Sequence, residues 1–352
     1  MKMMKSTLLV SLALCASGSA FAATTLNGAG ATFPYPVYAK WAEAYQKETG
    51  VQINYQAIGS GGGIRQIEAK TVDFGGTDAP LDVTELNKEE MIQFPMVMGG
   101  IVPVVNVPGV KAGELKLTGA VLADIYLGKI KHWNDAAIAK LNPNEKLPKL
   151  PIYVVHRSDG SGTTFNFTRS EEHRSELLSG RDWQSKIGVG KDINWPSAAT
   201  DIGGKGNAGV ANYVTRTKGS IGYVEYAYAT QNHLAYTQLQ NKAGKFVNPT
   251  AASFQAAAAN ADWEHAPGFK LILNDQPGAA TWPMTSATFI LMHKDQKDMA
   301  KAQAMLKYFT WSYQHPEMAQ NLDYVAMPES VVKLVNKTWK QNLVSDGQAV
   351  IR

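Results

Sequence analysis

The chain has 352 residues, 18% of them charged, with a formal net charge of +4 and one cysteine. A surplus this small excludes a nucleic-acid polymer binder on charge. The single cysteine, Cys15, cannot build a disulfide framework, and about 350 residues exceed one ordinary core, so two domains are expected.

The N-terminus reads Met1-Lys2-Met3-Met4-Lys5, continues through an apolar stretch over 8–16 and reaches Ala20-Phe21-Ala22. A basic start, a short apolar segment and an A-x-A site predict a secretory signal peptide over 1–22, cleaved after Ala22. The apolar run falls short of the roughly 20 residues that span a bilayer. Cys15 lies inside it, so the mature chain is cysteine-free, and thiol nucleophiles and thiolate metal sites are excluded. Loss of Lys2 and Lys5 lowers the charge from +4 to about +2. No second apolar segment of spanning length follows, and an exported, soluble product is expected.

Val37, Tyr38, Trp41, Ala44 and Tyr45 recur at helical spacing, whereas Val51, Ile53, Tyr55 and Ala57 alternate as in a strand. A helix is predicted over 64–70 and a short strand over 72–74. Long strands are expected over 96–107 and 287–292, with helices over 120–126 and 208–214 and a strand over 152–155 between them. The alternation predicts an α/β architecture with a largely parallel sheet. If the two long strands cross between domains, lobe I comprises 23–98 and 285–352, and lobe II is inserted over 99–284. The alternative makes both strands core members of one sheet. Turn formers over 276–283 suit a return linker, while 115–131 and 301–308 read as amphipathic or surface helices. Val331, Val332, Leu334 and Val335 suit a terminal helix packing on the first lobe.

Three glycine- and hydroxyl-rich segments each precede a predicted helix: Gly28-Ala29-Gly30-Ala31-Thr32-Phe33, Gly59-Ser60-Gly61-Gly62-Gly63 and Asp159-Gly160-Ser161-Gly162-Thr163-Thr164. Backbone N–H groups at a helix start attract anions, glycine permits close approach, and hydroxyls add donors. Each segment taken singly also reads as ordinary helix capping. Arg157, at the end of the 152–155 strand, can grip two oxygens with its planar fork, and Asp159 is placed to orient it; a plain surface ion pair is the alternative.

These segments, with Val72-Asp73-Phe74-Gly75-Gly76-Thr77-Asp78-Ala79-Pro80 and Gly219-Ser220-Ile221-Gly222-Tyr223-Val224, resemble the PstS family, the phosphate-binding proteins of bacterial high-affinity phosphate ABC transporters. The resemblance covers nearly the whole mature chain. It implies a type II-like, two-lobed periplasmic binding fold, with two parallel-rich sheets flanked by helices and joined by a two-strand hinge. It also implies inorganic phosphate buried between the lobes and no cofactor or metal. Carried over by residue, Thr32, Phe33 and Ser60 donate from one lobe, and Arg157, Ser161, Gly162 and Thr163 from the other. Asp159 tethers the arginine and Asp78 is the lone acceptor. The chain departs from the family pattern at Gly61, His156 and Ser158. Implied partners are the membrane permease and its cytoplasmic ATPase subunit. A monomeric, periplasmic receptor is expected.

Asp78 carries the expected selectivity. Near neutral pH phosphate retains a proton and sulfate does not, so a carboxylate acceptor suits only the former. The alternative reading makes Asp78 an Asx turn before Ala79-Pro80 and a helix cap. A hydrolase using Ser60 or Ser161 is disfavoured because neither lies in G-x-S-x-G. His132, His173, His233, His265, His293 and His315 lack metal-ligand spacing. Gly204-Lys205-Gly206 does not meet the phosphate-loop pattern and reads as a turn before a helix.

Overall fold

The computed structural model describes residues 24–175, 180–196 and 201–351. The expected signal peptide, with Cys15, lies outside them, as does the side chain of His173.

Strand β1 (Thr25–Gly30) enters helix α1 (Tyr35–Thr49), which buries Val37, Tyr38, Trp41 and Tyr45 along one face. Gly50, at φ 75°, ends that helix in the left-handed region and donates to Gln46 O. Strand β2 (Gln52–Ala57) follows, alternating in exposure, then α2 (Ser60–Glu68) and β3 (Phe74–Thr77). The sequence places that last strand at 72–74, but it starts at Phe74 and runs through two glycines. Every residue of β3 is buried, and the Ile67 side chain and the Tyr55 hydroxyl fill the space where side chains on Gly75 and Gly76 would stand. Such a strand carries no apolar signal to read.

Strand β4 (Met91–Val105) is buried at every one of its 15 residues. Beyond it come β5 (Tyr153–Arg157), α3 (Gly162–Ser175), β6 (Asp201–Gly204), α4 (Gly206–Arg216), β7 (Ser220–Glu225) and α5 (Tyr226–Gln231). Strand β8 (Thr285–His293), α6 (Met299–Tyr313) and α7 (Glu329–Asn342) complete the frame. The hydrogen-bonded order is β2-β1-β3-β8-β4-β7-β5-β6. Strands β1, β2 and β3 form one parallel group and β5, β6 and β7 another, with β8 and β4 antiparallel between them. The result is a mixed α/β fold of two lobes whose sheets share β4.

Within β4, residues 91–100 pair with β8, and 101–105 pair with β7. Pro95 has no N–H for the ladder, and the register slips opposite it between Thr288 and Phe289, as a bulge allows. The stretch expected as an amphipathic or surface helix over 115–131 is a strand at Lys116–Leu117 and a short helix at Gly119–Tyr126, capped by Thr118. Leu122, Ala123, Ile125 and Tyr126 are buried there, so this helix belongs to the core. The helix expected over 301–308 is longer, α6, and likewise buries Met305, Leu306, Tyr308 and Phe309. Among the described residues no helix is long and apolar enough to cross a membrane.

Candidate functional site

The loops that leave the carboxyl ends of the parallel strands converge between the lobes, where open α/β sheets place their ligands. Thr32 and Phe33 follow β1, Ser60 follows β2, Asp78 follows β3, and Arg157 through Thr163 follow β5. Thr32, Phe33, Ser60, Asp78, Arg157, Ser161 and Thr163 are buried there, Arg157 being 5% exposed, whereas Asp159 is half-buried and Ser158 exposed.

Contacts across the gap are close. Gly61 N donates to Gly160 O at 2.9 Å. A Cβ at Gly162 would lie 2.4 Å from Ser60 Oγ and 2.8 Å from Asp78 N, so only glycine fits where the lobes meet. Asn166 Nδ2 bridges Gly162 O at 3.0 Å and Asp78 O at 2.6 Å. Three glycines in the first turn of α2 lower helix propensity, and packing compensates: a Cβ at Gly63 would lie 2.4 Å from Gly30 Cα.

The four hydroxyls share one pattern. Thr32 Oγ1 accepts from Asn207 N at 3.1 Å and Asn207 Nδ2 at 2.7 Å. Thr163 Oγ1 accepts from Asn207 Nδ2 at 3.1 Å, Ser60 Oγ from Asp78 N at 3.1 Å, and Ser161 Oγ from Thr164 N at 2.9 Å. The last of these is the capping bond the sequence suggests. A hydroxyl whose oxygen already accepts an N–H keeps its own proton to give away. Capping and donation are therefore compatible in one side chain.

The backbone of the first loop is set by two tyrosines. Tyr228 donates to Thr32 O at 2.6 Å, and Tyr324 donates to Phe33 O at 2.6 Å. A trans peptide points its C=O and N–H to opposite sides, so anchoring Thr32 O turns the Phe33 N–H away from Tyr228. Burial holds the carboxyl of Glu225, whose Oε2 lies 2.8 Å from the Tyr324 hydroxyl, well above its ordinary range.

Arg157 donates from Nε to Asp159 Oδ1 at 2.7 Å and from Nη2 to Asp159 Oδ2 at 2.6 Å. Two of its five N–H groups are used in this fork, and three remain. Burial raises the Asp159 carboxyl, but the bonds from Arg157 and from Gly206 N outweigh it and hold the group below its ordinary value. The strand end beneath is braced by Tyr223, whose hydroxyl accepts from Arg157 N at 3.3 Å and meets Thr164 Oγ1 at 2.7 Å.

Asp78 is the opposite case. Burial pushes its carboxyl up to about 7, against the lowering effects of Thr288, Arg157 and Ser60. Asp78 Oδ1 and Thr288 Oγ1 are near one another, yet neither completes a hydrogen bond of normal geometry. A buried carboxyl oxygen is thus left as an acceptor among donors. The helix-cap alternative goes to a different residue: Asp82 caps Val83–Lys88 in a capping box with Glu85, and Ala79 N binds Thr77 Oγ1.

Asn207 is absent from the sequence reading, which took 204–206 for a turn. Its only local sign is a polar residue just inside a helix start, and its partner Thr32 is 175 positions away. Among the described residues no group of three or more His, Cys, Asp and Glu side chains could hold a metal ion.

A family model described as a PBP superfamily domain matches residues 16–314. The phosphate-binding protein PstS of Pasteurella multocida is 53% identical over 330 residues, covering 93% of this chain and 94% of that one. The chain belongs to the PstS phosphate-binding protein family. A PstS protein of Haemophilus influenzae is 51% identical over 91% of this chain and 94% of its own. Among solved structures, the phosphate-bound periplasmic phosphate-binding protein PfluDING superposes with a TM-score of 0.74 at 19% identity, covering 92% of this chain and 96% of that chain. An ABC-type phosphate transport receptor from Vibrio cholerae superposes with a TM-score of 0.53 at 17% identity, covering 86% of this chain and all of its own. At those identities the likeness is one of fold, and it places the PstS family within the two-lobed periplasmic binding architecture.

Proposed function

We propose that the chain is a periplasmic receptor that captures inorganic phosphate between its lobes and delivers it to an ABC-type importer. It is a transport component and not an enzyme. The observation that carries the reading is the composition of the cleft: hydroxyls with their oxygens occupied, an arginine with three spare N–H groups, and one buried carboxyl with an unpartnered oxygen.

In this reading Thr32, Phe33, Ser60, Arg157, Ser161, Gly162 and Thr163 donate to ligand oxygens, Asp159 fixes the guanidinium, and Asp78 takes part in one shared proton. Phosphate brings that proton to an ionised Asp78. Sulfate presents only lone pairs, and an unmet buried acceptor costs about 1–3 kcal/mol, more when charged. Charge-assisted hydrogen bonds contribute about 1.5–3 kcal/mol each, and a net of about −8 kcal/mol gives micromolar affinity. The lobes divide into 23–98 with 285–352 and 99–284, a reading supported by the change of β4 partner between Gly100 and Ile101 and by the start of β8 at Thr285. The chain acts as a monomer after removal of residues 1–22, and its partner is the membrane permease with its cytoplasmic ATPase subunit. Titration calorimetry of ligand-free protein with phosphate and sulfate at two pH values tests the reading. Heat from phosphate and none from sulfate at pH 8 is expected, and equal affinity for both anions rejects it.

A further inference from the structure

We infer that Asn207 is a positioning residue that ties the two lobes together and sets the direction of the hydroxyl protons on both sides of the cleft. The inference rests on the phosphate reading and deepens it. Asn207 is fully buried in the first turn of α4. One side-chain nitrogen, Nδ2, reaches Thr32 Oγ1 from the loop after β1 at 2.7 Å and Thr163 Oγ1 at the start of α3 at 3.1 Å. A single amide thus spans the gap with its two N–H groups, one to each lobe.

The orientation of that amide is fixed from behind. Glu225 N donates to Asn207 Oδ1 at 2.8 Å, so the oxygen faces β7 and the nitrogen faces the hydroxyls. With Asn207 N also donating to it at 3.1 Å, Thr32 Oγ1 has both acceptor positions filled. Its proton must point elsewhere, and the oxyanion site is the acceptor that the proposed function supplies. The neighbouring Gly206 N holds Asp159 Oδ1 at 3.0 Å, so the same helix start supports the arginine fork as well. Reversing the amide would put an oxygen between the two hydroxyls. Both would then donate to it and turn their protons from the ligand.

Asn207→Asp makes that reversal chemically, in the same shape and with the Glu225 N–H bond retained. Phosphate affinity should fall at least about 100-fold, and the deficit should shrink as pH drops and the introduced carboxyl takes up a proton. Asn207→Ala should cost about tenfold. Its loss should be smaller in a Thr163→Val background than in the unaltered chain, because both changes remove the same contact. Calorimetry with inorganic phosphate, alongside ligand-free thermal unfolding, reads all of this. Folded variants that bind phosphate within twofold of the unaltered chain, or losses that simply multiply with Thr163→Val, overturn the inference and leave the phosphate reading standing. Failure of both Asn207 variants to fold without ligand makes the residue structural and also overturns it. Absence of phosphate binding by the unaltered chain removes the functional reading itself, and this inference with it.

Discussion

Two nitrogens of Arg157 donate to the two carboxylate oxygens of Asp159, residues two positions apart at the end of one strand. The carboxylate aims the guanidinium and at the same time offsets part of its charge, so its two effects on a bound anion have opposite signs. Asp159→Asn keeps an acceptor for the fork and lifts a negative charge from the cleft. Phosphate affinity is expected to stay within about tenfold of the unaltered chain, or about 1.4 kcal/mol. Arg157→Ala instead removes charge-assisted bonds of about 1.5–3 kcal/mol each, and affinity for every oxyanion should drop at least about 100-fold. Calorimetric titration of the two variants checks the contrast, and intact phosphate binding by Arg157→Ala removes the arginine from the site.

Selectivity should depend on pH through Asp78. With the empty-site carboxyl at about 7, it is ionised at pH 8 and refuses sulfate, but it carries a proton at pH 5 and can donate to a sulfate oxygen. Sulfate affinity should therefore rise as pH falls through 7 and flatten below it. In Asp78→Asn the side-chain amide can donate at any pH, so sulfate should bind with little pH dependence, and selectivity should suffer more than phosphate affinity. Competition of sulfate against labelled phosphate across pH 5–9 measures both, and a flat sulfate profile in the unaltered chain counts against the acceptor role.

The same group links stability to pH. An unfolded aspartate titrates near 3.8, whereas native Asp78 titrates at about 7, so between these values the folded chain holds the extra proton. The contribution of Asp78 to the stability of the ligand-free protein is then fully present below pH 4, declines as pH rises toward 7, and is lost beyond. The contribution is at most about 4 kcal/mol. Asp78→Asn should gain on the unaltered chain as pH rises from 5 to 8 in urea unfolding; a constant difference would refute the linkage.

Gly162→Ala probes contact between the lobes. The added methyl collides with Ser60 Oγ and the Asp78 backbone in the closed arrangement but removes no donor from the cleft. Phosphate affinity is expected to fall at least about 100-fold while ligand-free thermal stability changes little. A melting temperature lowered in step with affinity would place the damage within one lobe.

The loops that meet between the lobes were legible because their composition is local: glycine and hydroxyl residues before Ile64 and after Arg157 stand out within a few positions. Strand β2 was legible for a similar reason, since its alternation is a surface property of one segment. Strand β3 was not, because glycines packed against Tyr55 and Ile67 give a periodicity analysis nothing to count. The helix at Gly119–Tyr126 lies where one was expected, but how deeply it is buried was not legible, since amphipathic spacing does not say how much of the other face is covered. Asn207 and Tyr324 escaped for a deeper reason: each acts through a backbone or hydroxyl oxygen brought near by folding alone. Asp78 could be singled out, but its unpartnered oxygen and raised carboxyl arise from burial, which no short motif encodes.

Strand β4 is laddered to β8 on one side of Gly100 and to β7 on the other. A ribbon pinned in register at both ends cannot translate lengthwise without unzipping one of its ladders. What it can do is flex and torque where one ladder gives way to the other, at the step from Gly100 to Ile101. Opening and shutting would then be a swing about a fixed axle, and a small change of angle there becomes a large excursion at the outer edges of the molecule.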